Sequence, residues 1–269
     1  MEIVCYGIGN FAPPPRYSVP TLQLACALLV RRELAGRGGA GGSSDGSVCG
    51  SATSAKVEGG GGTARSAEDP FASDQSSARM FYYEPAMLPI ERRILEEALC
   101  IEVVATNERG KRQVTGAGGS TFFFMPHCPM RLYSNVLWAN WGPDLMADGK
   151  VIIFGNDFLT YDERAITGKE RSDETNCVFQ VLPFVESVNI RLESRRRGRI
   201  AWSAHDGKES IQNLERAFSD SSLTWFKKEG VVREDAQDSS DHTSMISWPD
   251  RPREYILSNE DQKHINDLI

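Results

Sequence analysis

Short apolar runs alternate with stretches of helical character along most of this 269-residue chain. Strands that alternate with helices favour a mainly parallel sheet that is covered by helices on both faces. The sequence therefore predicts a single α/β domain. The predicted strands are Glu2–Tyr6, Met80–Tyr83, Ile101–Ala105, Thr121–Met125 and Val151–Phe154, with a further strand region at Gln180–Leu192. The predicted helices are Val19–Leu34, Leu88–Leu99, Pro129–Ala139 and one near Lys208–Phe218.

One internal segment breaks this alternation. Residues 36–78 are rich in glycine and serine and contain few large apolar side chains. Such a segment buries too little apolar surface to offset the entropy lost on ordering. We therefore predict a domain formed by residues 1–35 and 79–228, interrupted by a disordered insertion at 36–78. Residues 229–269, in which acidic side chains outnumber basic ones, are predicted to form a mobile tail.

Composition excludes several classes of protein. A net charge of −7 and a pI near 5.3 argue against a nucleic-acid-binding surface. No apolar run approaches the roughly 20 residues that cross a bilayer, so no membrane span is predicted. Six scattered cysteines and a start without signal-peptide character indicate a reduced intracellular protein, cytoplasmic or nuclear. The four histidines and the cysteines lack the spacing of a metal site, so no bound metal is expected.

The residues that follow the predicted strands are the candidate ligand-binding residues. In an open α/β sheet, ligands bind outside the carboxyl ends of the strands. Glycine permits close backbone approach, carboxylates accept hydrogen bonds from ribose hydroxyls, and Asn and His make short polar contacts. We therefore expect these residues to outline one crevice. They are Gly7, Gly9, Glu84, His127, Gly155, Asn156 and Asp157.

The first of these strand ends resembles a dinucleotide fingerprint. Gly7-x-Gly9-x-x-Ala12 has the glycine spacing, and Glu84 takes the place of the ribose-binding acid once the insertion is looped out. A phosphate cradle needs backbone N–H donors, however, and Pro13-Pro14-Pro15 removes three of them. A nicotinamide cofactor is therefore disfavoured relative to a nucleoside-type ligand such as S-adenosylmethionine. The interpretation favoured over both is that the glycines form a tight turn after the strand.

His127 and Cys128 allow two interpretations. A cysteine that follows a strand and precedes a helix can be an activated nucleophile, which makes this pair the candidate catalytic residues. The favoured alternative is a strand end whose two side chains are packed and hydrogen-bonded, with Pro129 at the start of the helix. We expect His127 to hold the crevice together and Cys128 not to be an obligatory nucleophile.

Several sequence blocks resemble the SRR-like proteins, a family named from "sensitivity to red light reduced". The blocks occur in the family's order over nearly the whole predicted domain. They are YGIGNF (6–11), LQLACALL (22–29), YYEPAM (82–87), ERRIL (91–95), FFFMPHCP (122–129), LYSNVLWANW (132–141), VIIFGNDF (151–158) and AFSDSSLTWF (217–226). The resemblance implies a single Rossmann-like domain, an intracellular location, and a role in circadian-clock, light-signalling or haem-biosynthesis regulation. It implies no established reaction and no established cofactor.

Two classes of function remain open from the sequence. The first is a regulatory or interaction protein with protein partners, whose crevice senses a small ligand. The second is a transferase-like enzyme that uses a nucleoside-type cofactor, with Glu84, Asn156 and Cys128 in the crevice. A Rossmann-like fold hosts both classes. The regulatory class is favoured because no base, nucleophile and orienting group are recognisable together in the sequence.

Overall fold

The computed structural model describes residues 1–12, 17–38, 78–114, 119–164, 171–190, 207–231 and 245–256. The strands are β1 (Glu2–Tyr6), β2 (Arg79–Tyr83), β3 (Glu102–Val103), β4 (Thr121–Met125), β5 (Val151–Asn156), β6 (Val185–Asn189), β7 (Ser221–Phe226), β8 (Gly230–Val231) and β9 (Met245–Ile246). The α-helices are α1 (Val19–Gly38), α2 (Pro89–Arg93), α3 (Met130–Ala139), α4 (Pro143–Met146), α5 (Phe158–Arg164), α6 (Cys177–Val181) and α7 (Gly207–Ala217).

A seven-stranded sheet with the order β3-β2-β1-β4-β5-β7-β6 forms the centre of the domain. The pairs β3–β2, β2–β1, β1–β4 and β4–β5 are parallel, and β7 pairs antiparallel with both β5 and β6. The predicted α/β architecture with a mainly parallel sheet is therefore confirmed, and it is consistent with a Rossmann-like domain. The antiparallel pair at one edge was not predicted.

Two apolar cores cover the two faces of the sheet. Alternate residues of β1 show the division: Val4 packs toward α3 and α6, whereas Ile3 and Cys5 pack toward α1 and α7. Successive strand side chains point to opposite faces, and a sheet that is buried on both faces needs apolar residues at nearly every position. The unbroken apolar runs of the sequence have this cause.

Helix boundaries follow local capping chemistry. Ser18 precedes α1, and its hydroxyl oxygen accepts a hydrogen bond from the Thr21 N–H at 3.3 Å, as N-terminal caps do. Pro89 occupies the first position of α2, where its missing N–H costs nothing. The predicted helix Leu88–Leu99 differs from the structure, because α2 ends at Arg93 and a turn of π-helix continues over Ile94–Ala98.

The boundaries of the predicted insertion and tail are partly visible. Helix α1 extends to Gly38, and Ala78 is already buried, whereas residues 39–77 lie outside the described part of the chain. Residues 245–256, here called the C-terminal segment, pack against the domain. Trp248 stacks on Phe184 with ring centroids 4.2 Å apart and meets Trp141 edge-to-face at 5.5 Å. This part of the predicted mobile tail therefore has defined contacts, and residues 232–244 and 257–269 lie outside the description.

The substitution Gly155→Ala tests how closely the Tyr133 side chain packs on β5. A methyl group at this position would lie 2.8 Å from Tyr133 Cε1 and 3.0 Å from the Met125 carbonyl oxygen. We expect Gly155→Ala to lower the free energy of unfolding by about 1–3 kcal/mol, as overpacked cores do. The matched control is Gly36→Ala in α1, where no atom lies within 4 Å of the added methyl, and alanine there should leave stability equal or slightly higher. Urea denaturation measures both, and equal effects would contradict this account of the core.

Candidate functional site

A cavity of about 740 Å³ opens at the carboxyl ends of β1, β2 and β4. The chain leaves β1 toward β2 on one side, whereas β4 lies on the other side of β1, so the connections diverge above this point. Such a switch point is where open α/β sheets bind ligands. The wall is formed by Tyr6, Gly7, Tyr83, Glu84, Pro85, Asn107, Arg109, Gly110, Lys111, His127, Cys128, Pro129, Arg131, Leu132, Asn135 and Tyr255.

The turn after β1 needs glycine for two reasons. Gly7 has φ +63°, which is in the left-handed region, and a methyl group there would lie 3.0 Å from Cys128 Sγ. The thiol itself donates to the Tyr6 carbonyl oxygen at 3.3 Å. A side chain at position 7 would therefore strain the backbone and also displace the sulfur.

Two carboxylates occupy the backbone donors of the loop that follows this turn. Glu84 Oε2 accepts from the Gly9 N–H at 2.8 Å. Glu91, which is 1% exposed, accepts from the N–H groups of Phe11 and Ala12 through Oε1, and its Oε2 accepts from the Leu88 N–H at 2.8 Å. The loop is therefore bound to the segment between β2 and α2 by carboxylate–amide hydrogen bonds, which are among the stronger ones in proteins.

Glu91 was not among the predicted site residues. In the sequence it appears among charged neighbours, Glu91-Arg92-Arg93, which is typical of a solvated helix face. The signal that could have revealed it is its place three residues after Leu88, at the start of a helix with Pro89 at its first position. An acid at the third position of a helix commonly accepts a hydrogen bond from the N–H of the residue that caps the helix, which here is Leu88.

This arrangement does not resemble a pyrophosphate cradle. In dinucleotide-binding sites, the N–H groups of the glycine-rich loop point at the phosphates. Here the donors of residues 9, 11 and 12 bind protein carboxylates, and a phosphate brought to the same donors would meet two negative charges. The geometry therefore agrees with the sequence argument against a nicotinamide dinucleotide.

His127 links the end of β4 to the end of β5 and to α7. Its φ of +58° is unusual for a residue with a side chain, and its N–H donates to Asn156 Oδ1 at 2.8 Å. The ring atom Nε2 lies 2.8 Å from the Arg216 carbonyl oxygen and 3.1 Å from that of Ala217. Carbonyl oxygens only accept, so Nε2 carries the proton and His127 binds the C-terminal end of α7. This contact fits the expected role of His127 in holding the crevice together.

Cys128 lies on the inner side of the same strand end and is 4% exposed. Burial, followed by the charge of Glu84, raises the pKa of the thiol to about 12. Only a very small fraction is then thiolate near neutral pH, and the sulfur is hydrogen-bonded to a backbone carbonyl instead of to His127. The two candidate catalytic side chains therefore do not form a thiol–imidazole pair.

The predicted crevice residues do not share one cavity, and Gly9 and Gly155 line neither of the two cavities described here. Gly7, Glu84, His127 and Cys128 line the large cavity. Asn156 and Asp157 instead line a neighbouring cavity of about 80 Å³, which also contacts His127.

The residues at the end of β5 have structural contacts. Gly155 lies beneath Tyr133, and Asn156 donates through Nδ2 to the Tyr161 hydroxyl oxygen at 2.7 Å and to the Cys128 carbonyl oxygen at 3.1 Å. Asp157 caps α5 by accepting from the Leu159 N–H at 3.2 Å. These three residues therefore support the large cavity from its side instead of facing into it.

Three basic side chains also line the large cavity. Arg109 and Lys111 come from the loop after β3, and Arg131 comes from the first turn of α3. None of the three was predicted, because the sequence argument considered only residues directly after strands. The sequence shows Arg109-Gly110-Lys111 as an ordinary polar loop.

Potential metal ligands do not cluster. Within the described ranges, no group of three or more His, Cys, Asp or Glu side chains could hold a metal ion. Likewise, none of the helices in those ranges combines the length and apolar character needed to cross a membrane.

Comparisons with known proteins identify the family. The model of the SRR1 domain matches residues 1–225, which is most of the chain. The chain belongs to the SRR1 family. A curated relative, "Protein SENSITIVITY TO RED LIGHT REDUCED 1" of Arabidopsis thaliana, is 29% identical over 194 residues, covering 72% of this chain and 53% of that protein. An "SRR1-like protein" of Mus musculus is 40% identical over 84 residues, covering 31% of this chain and 32% of the relative.

The matched lengths limit what these relatives show. The aligned regions span about a third and about half of the two relatives' lengths. No solved structure matches the chain significantly. Tyr255 lies outside the residues matched by the SRR1 domain model, although it lines the large cavity. The cavity of this SRR1-family chain is therefore formed by the family domain together with the C-terminal segment.

The carboxylate of Glu91 should be a major determinant of stability. Glu91→Ala leaves three backbone N–H groups without their acceptor, and each such loss costs about 1–3 kcal/mol when the group is buried. We expect the free energy of unfolding to fall by about 3 kcal/mol or more, measured by urea denaturation. The control is Glu97→Ala, an exposed residue paired with Arg93, which should change stability by about 0.5 kcal/mol at most. A Glu91 variant as stable as the control would disprove the role assigned to this carboxylate.

Alkylation distinguishes a packed thiol from a nucleophile at Cys128. In the native protein at neutral pH, we expect iodoacetamide to modify Cys128 about 100-fold more slowly, or slower still, than the exposed Cys100. Peptide mass spectrometry over a time course reports each cysteine separately. Equal rates at the two positions would show an accessible, activated thiol and would restore the catalytic interpretation.

Proposed function

We propose that this SRR1-family chain is a regulatory protein that binds a small ligand in the cavity above β1, β2 and β4. The observation that carries the proposal is the position of the cavity at the switch point of the sheet, with both acidic and basic side chains in its wall. We further propose that protein partners distinguish the ligand-bound form of the chain from the ligand-free form. We propose that this regulation acts in light signalling, in the circadian clock or in haem biosynthesis.

The regulatory part of the proposal rests on the site chemistry and on the family. Cys128 is buried and protonated, and His127 binds carbonyl groups of α7, so the two lack the geometry for nucleophilic catalysis. The name of the Arabidopsis thaliana relative refers to sensitivity to red light. A fold of this class senses ligands as readily as it catalyses reactions, so the site decides between the two.

A second candidate function is a transferase that uses a nucleoside-type cofactor. Glu84 favours it, because this carboxylate lies directly after β2 and lines the cavity. It accepts from the N–H groups of Gly9 and Ala86, which leaves acceptor positions for ribose hydroxyls. A regulatory protein and a transferase could both retain such a ligand, and only the transferase would alter it.

A ligand screen by thermal unfolding tests the proposal. S-adenosylmethionine, adenosine, a nicotinamide dinucleotide and haem are added to the full chain. A true ligand at about 100 times its Kd adds about 2.7 kcal/mol, which for a domain of this size raises Tm by roughly 5–10 °C. Because the donors of residues 9, 11 and 12 are occupied by carboxylates, we expect the dinucleotide to give a smaller shift than the nucleosides.

The control for this screen is a matched pair of acid-to-amide variants. Glu84→Gln should reduce the shift produced by a nucleoside, whereas Glu97→Gln on the exposed face of the π-helical turn should not. Native mass spectrometry of the purified protein shows whether a small molecule is retained. If no compound changes Tm and only the mass of the bare chain is found, the ligand-sensing function is overturned. Conversion of a bound nucleoside to a modified product would instead establish the transferase.

A further inference from the structure

The basic wall of the large cavity is the feature that the proposed function leaves unexplained. Arg109, Lys111 and Arg131 all line it, whereas Glu84 is the one acidic residue among the wall residues that the structure describes. The chain as a whole carries a net charge of −7. A concentration of positive charge in the crevice of an acidic protein therefore reflects local placement and not composition. Clefts lined by one sign of charge attract ligands of the opposite sign.

The loop that carries two of these cations is fixed to helix α3. The Arg109 N–H donates to Asn107 Oδ1 at 2.8 Å, and the Arg109 carbonyl oxygen accepts from Asn135 Nδ2, also at 2.8 Å. Gly110 lies so close to α3 that a methyl group there would meet the Leu132 side chain at 2.9 Å and its carbonyl oxygen at 3.1 Å. The positions of Arg109 and Lys111 are therefore set by backbone contacts, before any ligand binds.

The three cations differ in their partners. Arg131 pairs with Asp173 at 3.1 Å and lies 3.8 Å from the centre of the Tyr255 ring. Lys111 pairs with Glu254. In the ranges that the structure describes, no carboxylate lies within ion-pair distance of the Arg109 guanidinium, which is exposed at the cavity wall. Arg109 is thus the cation that is most available to a ligand.

Glu254 supplies a second observation about the chemistry of this wall. The C-terminal segment brings this carboxylate to Lys111, and the adjacent Tyr255 lines the cavity. A carboxylate of the chain therefore already binds one of the three cations at the edge of the cavity. An anionic group of a ligand would therefore compete with the Glu254 carboxylate for the ammonium group of Lys111.

We propose that the cavity binds a small molecule through an anionic group, a carboxylate or a phosphate, held by Arg109 and Lys111, and that Glu254 competes with this group for Lys111. This inference rests on the proposed function, because it requires that the cavity take a small ligand. It adds an orientation: the anionic end of the ligand faces the loop after β3, and its uncharged end faces Glu84 and Tyr83. Aromatic rings from Tyr83 and Tyr255 suit a planar uncharged part.

The experiment compares two fluorescent probes that share an aromatic framework. Anilinonaphthalene sulfonate carries one negative charge, and phenylnaphthylamine carries none. With the full chain, we expect the anionic probe to bind about tenfold more tightly, the difference that one charge-assisted contact provides. Inorganic phosphate and acetate are then added separately as competitors. Displacement by phosphate at lower concentration identifies a phosphate ligand, and displacement by acetate at lower concentration identifies a carboxylate.

Three variants locate the anionic probe in the cavity. Arg109→Gln should weaken its binding about five- to tenfold and leave the neutral probe unaffected, since only the charge is lost. Glu254→Gln should strengthen its binding about threefold by releasing Lys111. Arg92→Gln is the matched control, an exposed arginine on α2 that pairs with Glu96 and is not part of the cavity wall, and it should change neither probe. Circular dichroism and Tm confirm that each variant is folded, and Lys111→Gln repeats the test should Arg109→Gln fail to fold.

The outcomes separate the two proposals. If both probes bind equally and Arg109→Gln changes neither, the cavity takes a small molecule but the anion site is overturned. If neither probe binds the folded chain, the ligand-binding cavity is overturned together with the anion site. Weaker binding of the anionic probe to Glu254→Gln would overturn the competition and show that Glu254 serves only to position Lys111.

Discussion

The buried carboxylate of Glu91 fixes the geometry on which the large cavity depends. It binds the N–H groups of Phe11 and Ala12 on the loop after β1 and the N–H of Leu88 before α2. A buried charge is tolerated only when its hydrogen-bonding capacity is satisfied, and three backbone donors satisfy most of that of one carboxylate. The loop after β1 and the segment after β2 are consequently held as one unit, although residues 11 and 91 are far apart in sequence. This unit forms one side of the cavity.

The same hydrogen bonds change which charged groups a ligand meets in the cavity. In enzymes that bind dinucleotides, the loop after the first strand presents free N–H donors and attracts phosphate. Glu84 and Glu91 take up those donors here, and of these two carboxylates Glu84 lines the cavity. Three cations line the same cavity, from the loop after β3 and the first turn of α3. A ligand with an anionic end would therefore bind through these side chains and not through the backbone donors that hold phosphate in a conventional cradle.

The sequence was most informative where burial leaves little choice of residue. The strands β1, β2, β4 and β5 are covered on both faces, so nearly every position is apolar and the run itself identifies the strand. Strand β7 follows a helix and contains Ser221, Ser222 and Thr224, which are buried polar residues, and its antiparallel pairing has no local signature. Pairing direction at a sheet edge depends on the path of the whole chain, which periodicity does not report.

Only some of the residues that line the large cavity were named from the sequence, and the physical reason is related. Gly7, Glu84, His127 and Cys128, which were named because they follow strands, line the large cavity, since parallel strands bring their carboxyl ends to one edge. At the end of β5 the same rule did not indicate which way a side chain faces. Gly155 leaves room for the Tyr133 ring, so the glycine serves internal packing there. Arg109, Lys111 and Tyr255 reach the cavity from a loop and from the C-terminal segment, and their approach depends on tertiary contacts that no short pattern encodes.

The two ends of the C-terminal segment are held by contacts of different strength. This difference determines which end a ligand could affect. Trp248 lies between Phe184 and Trp141, and the indole N–H groups of Trp141 and Trp138 donate to the carbonyl oxygens of Pro249 and Pro252, each at 3.0 Å. Aromatic burial of this kind contributes several times more than an exposed ion pair, whose typical value is about 0–1 kcal/mol. The contacts of the following residues include the partly exposed ion pair of Glu254 with Lys111, the exposed ion pair of Arg253 with Glu174, and the stacking of the Tyr255 ring on Arg131. Competition for Lys111 would therefore remove one contact of the end that borders the cavity, while the tryptophan anchor keeps the rest of the segment in place. A ligand that acts in this way changes the surface next to the cavity without disturbing the core, which is the kind of local change that a protein partner can read.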